Sequence, residues 1–378
     1  MIHLNLPKNI CQALLFLSFA LLLGACEREE DPAGLTPIIV QIDKITLQAG
    51  DVLEIAGRNF GSSPEALTVN FNGRVAEVLE LSDTRLLVTV PAGAGSGQLR
   101  VIRNERSSNA YPYAYRFRLG AAPEIVNPSV FNGGELQLGV DGNLYYLAFE
   151  SEDFTLYRLQ GNTFVSTGRL APGSGFISFF VDAQGNFYYR NSSDQVIKNN
   201  DTSTSTTLPL ANFSSDGFFV DTQGNIYYSR FDDDGANIST VNINTPTAPT
   251  TLFAPVPGTV NDFVLGQNSN VWTLEDGFSG DPSIIYESGR DKIPRQVASF
   301  SNPFSGSGRI SFAPDINVLC VKSSNSIFFY DTFSAVIYEM NVPPGWGSIS
   351  GATLGTGGEL FVISFDFSEY VIRRVTLE

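Results

Sequence analysis

The phrase "VDAQGNFYY" (Val181–Tyr189) returns almost unchanged as "VDTQGNIYY" (Val220–Tyr228), 39 residues later. Asp182 and Asp221 are placed to accept hydrogen bonds from backbone amides two residues on, closing an Asx-type turn. Gly185-Asn186 and Gly224-Asn225 then supply the positive φ that a hairpin corner demands. Two aromatic residues follow each turn, Tyr188-Tyr189 and Tyr227-Tyr228, and similar pairs stand at Tyr145-Tyr146 and Phe328-Phe329. Neighbours in a strand point to opposite faces. A sheet with one wet face would not repeatedly place large rings on both sides, whereas a blade covered by a neighbour on each face buries both. The pattern predicts a β-propeller.

Weaker spellings extend the series. "GVDGNLYYLA" centres on Asn143, "LGQNSNVWTL" on Asn270, "KSSNSIFFYD" on Ser326 and "GTGGELFVIS" on Glu359, giving intervals of 43, 39, 45, 56 and 33 residues. Periods near 40–45 suit one four-stranded blade. Six copies predict about six blades over 118–378, with five or seven left open by the degenerate last two. The chain ends on the strand-like "EYVIRRVTLE", so a strand from the 118–135 region is expected to complete the last blade and latch the ring. The phrase resembles the NHL and gluconolactonase-like propellers. That resemblance implies one divalent cation in the channel, held by Glu, Asn and Asp side chains. No ligand carries over residue by residue, because the matching segments are turns and not channel-facing loops.

Upstream, 37–117 alternates polar and apolar residues in short runs with Gly or Pro corners, the rhythm of a β-sandwich. Ala49-Gly50, Ile55, Gly57, Asn59-Phe60-Gly61, Val69, Phe71, Gly73, Ala76, Thr84, Leu86, Val88, Val90-Pro91, Gly93 and Gly97 stand in the order of the IPT/TIG immunoglobulin-like family, which this segment resembles. The "GRNFG" corner is the most specific part, with Phe60 placed to plug the sandwich end. The whole chain therefore reads as all-β, an IPT/TIG sandwich followed by a propeller.

The N-terminus reads differently. Lys8 precedes an apolar run from Ala13 to Ala25, too short to span a bilayer and of signal-peptide length. Leu23-Gly24-Ala25-Cys26 resembles the bacterial lipobox, which implies cleavage after residue 25 and a lipid anchor on Cys26. The tether, 26–36, opens "CEREEDPAG", similar to acidic surface-export signals. The chain thus looks like a Bacteroidetes-type surface lipoprotein, and an outer-membrane protein facing the cell surface is expected.

Cleavage would leave 39 acidic against 22 basic residues, a charge of −17, which disfavours nucleic acid as a partner. The single histidine, His3, lies in the signal, so triads and His-ligated zinc are excluded from the mature chain. Cys320 has no cysteine left to pair with and reads as a buried thiol.

Candidate sites are few. Tyr111, Tyr113 and Tyr115 in "YPYAYRF" fall on one face of an extended segment, either an exposed ladder for stacking sugar rings or a closing strand packed inward. Trp346 in "PPGWG" is a second candidate platform, while Trp272 reads as blade core. Asp232, Asp233 and Asp234 could take Ca²⁺ without an EF-hand spacing, or form a solvated hairpin tip. No cofactor is otherwise called for. The functional expectation is non-catalytic binding, of a polysaccharide or of a surface protein complex. A metal-dependent lactonase- or lyase-like propeller enzyme is one alternative, and an adhesion or scaffold protein that binds another protein is the other.

Overall fold

The computed structural model describes residues 35–120, 123–126, 134–172, 176–199, 205–209, 213–232, 235–245, 248–253, 259–266, 270–275, 282–289, 291–300, 309–313, 315–323, 326–340, 342–355, 358–366 and 369–378. The expected signal segment, Cys26 and nearly all of the expected tether fall outside these residues.

Nine strands build the sandwich: β1 (Ile38–Ile42), β2 (Thr46–Leu47), β3 (Val52–Arg58), β4 (Leu67–Phe71), β5 (Arg74–Leu81), β6 (Arg85–Thr89), β7 (Gly97–Arg103), β8 (Arg106–Ser107) and β9 (Tyr111–Tyr115). The order is β1-β3-β6-β5-β4-β7-β9-β2. Strand β5 pairs with β4 through Arg74–Ala76 and with β6 through Glu77–Leu81, so it passes from one face of the sandwich to the other. Phe60 is fully buried and its ring fills the space where a Cβ on Gly57 would lie, which is why that corner needs glycine.

Six four-stranded sheets follow. Strand β10 (Glu124–Ile125) belongs to the last of them. Blade 1 is β11 (Glu135–Leu138), β12 (Leu144–Glu150), β13 (Asp153–Gln160) and β14 (Thr163–Pro172). Blade 2 is β15 (Phe176–Val181), β16 (Phe187–Asn191), β17 (Gln195–Asn199) and β18 (Ser205–Pro209). Blade 3 is β19 (Phe213–Val220), β20 (Asn225–Asp232), β21 (Gly235–Asn242) and β22 (Thr250–Thr251). Blade 4 is β23 (Val260–Leu265), β24 (Val271–Glu275), β25 (Ser283–Ser288) and β26 (Pro294–Phe300). Blade 5 is β27 (Arg309–Ala313), β28 (Val318–Ser323), β29 (Ser326–Asp331) and β30 (Val336–Met340). Blade 6 is β31 (Ser348–Leu354), β32 (Glu359–Asp366) and β33 (Glu369–Thr376), with β10 as its outer strand.

The paired aromatics do what their adjacency requires. Tyr188 packs with Tyr228 between blades 2 and 3, while Tyr189 packs with Tyr145 and Leu147 between blades 1 and 2. Phe328 and Phe329 likewise enter different cores. The repeated turn is a carboxylate hub. Asp182 accepts from the N–H of Gln184 (2.9 Å), the N–H and side-chain amide of Asn186 (both 2.8 Å) and the Tyr188 hydroxyl (3.0 Å). Asp221 repeats this with Gln223, Asn225 and Tyr227. Only glycine takes the positive φ, +74° at Gly185 and +81° at Gly224. The asparagines do not share it; they hold the Asp carboxylate instead.

One copy of the phrase is corrected. "KSSNSIFFYD" forms the hairpin between β28 and β29, at the opposite end of the blade from the repeated turn. The true fifth copy lies in "APDINVLCV", centred on Asn317, between β27 and β28. The last intervals become 47 and 42 residues, and the period regular. The copy is disguised because its turn is one residue shorter and Asn317 itself takes the positive φ, +58°, that glycine takes elsewhere. Asn317 also gives its amide to the Ser96 carbonyl of the sandwich, at 3.3 Å.

Antiparallel strands alternate in direction, so the first–second and third–fourth connections of every blade lie at one end of the ring. The sandwich docks at this end, against blades 5 and 6. Its loop Pro91–Gly97 is the hub: Gly95 lies so close to Ile316 that a Cβ would stand 2.7 Å from the Ile316 carbonyl. Buried Ser96 donates its hydroxyl to the buried Asp331 carboxylate and accepts the Tyr115 N–H at 2.6 Å. One apolar core runs through both domains, joining Tyr115 and Phe117 to Ile316, Val318 and Leu377. Arg118 and Glu378 exchange backbone hydrogen bonds of 2.7 and 2.9 Å, and Leu119 pairs with Leu377. Strand β10 then closes the ring against β33, where Arg374 bonds its cross-strand partner Glu124 and reaches Asn162 of blade 1 at 2.7 Å.

Candidate functional site

The other end of the ring carries the second–third hairpins and the blade-to-blade connections. Three hairpins there share one construction. Glu150 pairs with Asp153, Asp232 with Gly235 and Asp366 with Glu369, each across a two-residue loop. The residue before the acid is phenylalanine every time, and Phe149, Phe231 and Phe365 are 38%, 51% and 39% exposed. Core packing explains an inward phenylalanine; it does not explain three exposed ones at an equivalent position. Phe149 leads inward through Phe154 (centroids 5.1 Å) to Phe176 (4.5 Å from Phe154), which starts the innermost strand of blade 2. Phe365 packs on Tyr370 at 4.8 Å.

A carboxylate accompanies the first of these rings. Glu150 accepts from the hydroxyls of Thr155 (3.1 Å) and Tyr157. Burial, and then the Glu150 bond, push the Tyr157 phenol up to about 12. Burial also raises Glu275, at the end of β24, above the usual carboxylate range, against a hydrogen bond from Tyr286.

The channel is lined by the first strand of each blade. Bulges interrupt four of the six first–second pairings near this end, between Phe176 and Ser178, Phe213 and Phe218, Val260 and Asp262, and Ile349 and Gly351. Such bulges turn side chains away from the regular pleat. The acids here are already engaged. Glu135 of blade 1 pairs with Arg309 of blade 5 at 2.9 Å, past the inner strand of blade 6. Asp262 accepts the N–H groups of Phe263 (3.0 Å) and Ile310 (3.1 Å), and its carboxylate occupies the space that a Cβ on Gly217 would need. Among the described residues no three of His, Cys, Asp and Glu converge to hold a metal ion.

The structure places the sequence-derived candidates elsewhere. Tyr111, Tyr113 and Tyr115 do share a face, but it is the inner one. Tyr113 and Tyr115 are 2% and 1% exposed, and Tyr111 packs against the same core. Tyr113 lies edge-on to Phe71 at 5.3 Å; the Tyr115 hydroxyl accepts the Gly93 N–H and donates to the Pro91 carbonyl. Burial pushes the Tyr115 phenol up to about 12. None of the three offers a stacking platform, because the face that looked free is covered by the rest of the sandwich and by the propeller. Trp346 is also buried, in a 3-10 turn over Pro344–Trp346, with the Arg373 guanidinium 5.3 Å above its ring. Asp232 closes β20 at its hairpin, and Asp233 and Asp234 lie outside the described residues. Trp272 and Cys320 are buried as expected, and burial drives the Cys320 thiol up to about 12. The residues missed were Phe149, Phe231 and Phe365. Their signal was present in "FESED", "FDDDG" and "FDFSE", a phenylalanine and an acid before a two-residue gap.

Residues 37–117 match the IPT/TIG domain family model. No curated protein matches the chain in sequence. Among solved structures, the chain is similar to a structural genomics protein of unknown function from Bacteroides thetaiotaomicron, with 12% identity and a TM-score of 0.51, covering 91% of this chain and 98% of that one. An auxiliary nutrient binding protein from the same organism aligns at 13% identity and TM-score 0.45 over 92% and 99% of the two chains. A gluconolactonase from Xanthomonas campestris aligns at 9% identity and TM-score 0.44 over 69% and 99%. At these identities the likeness is one of fold alone.

Proposed function

We propose that the chain is a non-catalytic binding protein for a glycan, held in the outer membrane through a lipid on Cys26 and facing outward. The sandwich is its rigid mount, and the propeller end remote from the sandwich is its receptor. One observation carries this reading: Phe149, Phe231 and Phe365 stand exposed at the same hairpin position of three blades, each beside an acid. Phenyl faces stack on the apolar C–H faces of sugars, and carboxylates accept sugar hydroxyls. The sugar contact thus moves from Tyr111–Tyr115 and Trp346 to these tips.

The test is retention of the protein on immobilised polysaccharides, with and without calcium and EDTA, compared with a Phe149→Ser/Phe231→Ser/Phe365→Ser variant. Binding to one glycan class that EDTA spares and the variant loses supports the proposal. Calcium-dependent turnover of the glycan would overturn it in favour of a metal-dependent lactonase- or lyase-like enzyme. No retention by any polysaccharide would leave a surface protein as the partner.

A further inference from the structure

A like-charge pair sits where the channel opens at the far end. Arg309 and Lys322 are directly opposite in the register of β27 and β28. Side chains so placed are about 5 Å apart at Cβ, and like charges there destabilise a sheet. Both project from the face of blade 5 that packs on blade 6, since Ala313, Val318 and Cys320, at even spacing along the same strands, enter that core. Both are half-buried. Glu135 answers Arg309, but among the described residues no carboxylate pairs with Lys322. Burial, and then the Arg309 charge, lower the Lys322 pKa. A chain of net charge −16 has ample acid to neutralise this ammonium, yet none of the described acids is placed there. The hairpin tip of blade 5 also lacks the acid that blades 1, 3 and 6 carry, ending instead in Lys322-Ser323. Local conflict of this kind is retained where a ligand resolves it.

We propose that Lys322, with Arg309 beside it, forms an oxyanion site at the channel mouth that takes a carboxylate or sulfate group. The anion lies between the ammonium and the guanidinium and supplies the missing negative charge. Glu135 keeps the Arg309 guanidinium fixed while that anion binds. If the glycan reading above holds, on which this half of the proposal rests, the ligand is an acidic polysaccharide. Its charged sugar enters over blade 5, and its neutral faces lie along the phenylalanine tips.

The test uses the purified full chain and its Lys322→Met variant, with sodium sulfate, an oligogalacturonate and an uncharged oligosaccharide of equal length as probes. Expected results are a rise in melting temperature with sulfate that the variant lacks, and at least tenfold weaker oligogalacturonate binding by the variant. The unliganded variant should melt no lower than the parent, because a desolvated charge has been removed. Sulfate stabilisation that exceeds that of the Lys322→Met variant, without any sugar binding, would support the oxyanion site and defeat the glycan reading. Equal binding of charged and uncharged oligosaccharides, unchanged by Lys322→Met, would overturn the oxyanion site and leave the glycan reading intact. No response to sulfate and none to oligogalacturonate would also overturn it.

Discussion

The two ends of the propeller are made from the same hairpins and treat them in opposite ways. At the docked end, the blade 5 turn has lost its repeat wording because its residues face a fixed neighbour. Asn317 bonds the Ser96 carbonyl, Asp331 takes the Ser96 hydroxyl, and Ile316 fills the hollow under Gly95. At the far end, three hairpins keep one wording, phenylalanine then acid, although the rings stay 38–51% exposed. Departure from the repeat marks a structural contact, and a repeat with no structural need marks a candidate for binding.

The largest expected effect is at the docked end. Tyr115→Ala removes a ring that is 1% exposed and leaves a hole between the domains, which should cost about 3–5 kcal/mol by denaturant unfolding. It should also make the 118–126 connection a protease target. If the two domains instead unfold separately in the parent, the idea of a single body fails. Second, Ser96→Ala takes one donor from the buried Asp331, which keeps the N–H groups of Phe333 (2.9 Å) and Ser334 (3.2 Å). A loss of about 1–3 kcal/mol is expected in the same assay. Third, Arg374→Ala loosens the latch. Its side chain is 23% exposed and that of Glu124 40%, so solvent screening limits the loss to about 1 kcal/mol.

At the far end the expectation reverses. Phe231→Ser should change stability by no more than about 0.5 kcal/mol, as for exposed sites generally, yet weaken polysaccharide retention. A large loss of stability there would mean that the ring is structural after all. The smallest effect concerns pH. Burial raises the Asp221 carboxyl, but bonds from Asn225, Gln223 and Tyr227 outweigh it and hold the group below its ordinary value. Its stabilisation is therefore present above the unfolded carboxylate pKa of about 3.9 and is lost as pH falls through the lower folded value. Asp221→Asn should flatten the acid limb of thermal stability and leave neutral pH binding unchanged.

Much of this was legible in one dimension. Tandem aromatics forced two buried faces per sheet, and the spacing of Asp, Gly and Asn marked one turn per blade. What escaped depended on contacts between distant segments. Alternation in "YPYAY" fixed which tyrosines share a face, but only the covering propeller and sandwich decide that this face is the inner one. The fifth turn was unreadable because it is one residue shorter and sets Asn317 at the positive φ where the other turns use glycine. The Arg309–Glu135 pair joins blades 5 and 1, and no local pattern announces it.

Hydrogen exchange of the protein with and without the polysaccharide it retains tests the division between the two ends most directly. The account predicts new protection at the hairpins around 149–154, 231–235 and 365–370, with Pro91–Gly97 and 313–317 unchanged. Protection gained at the sandwich loop, with the phenylalanine tips unaffected, would contradict it.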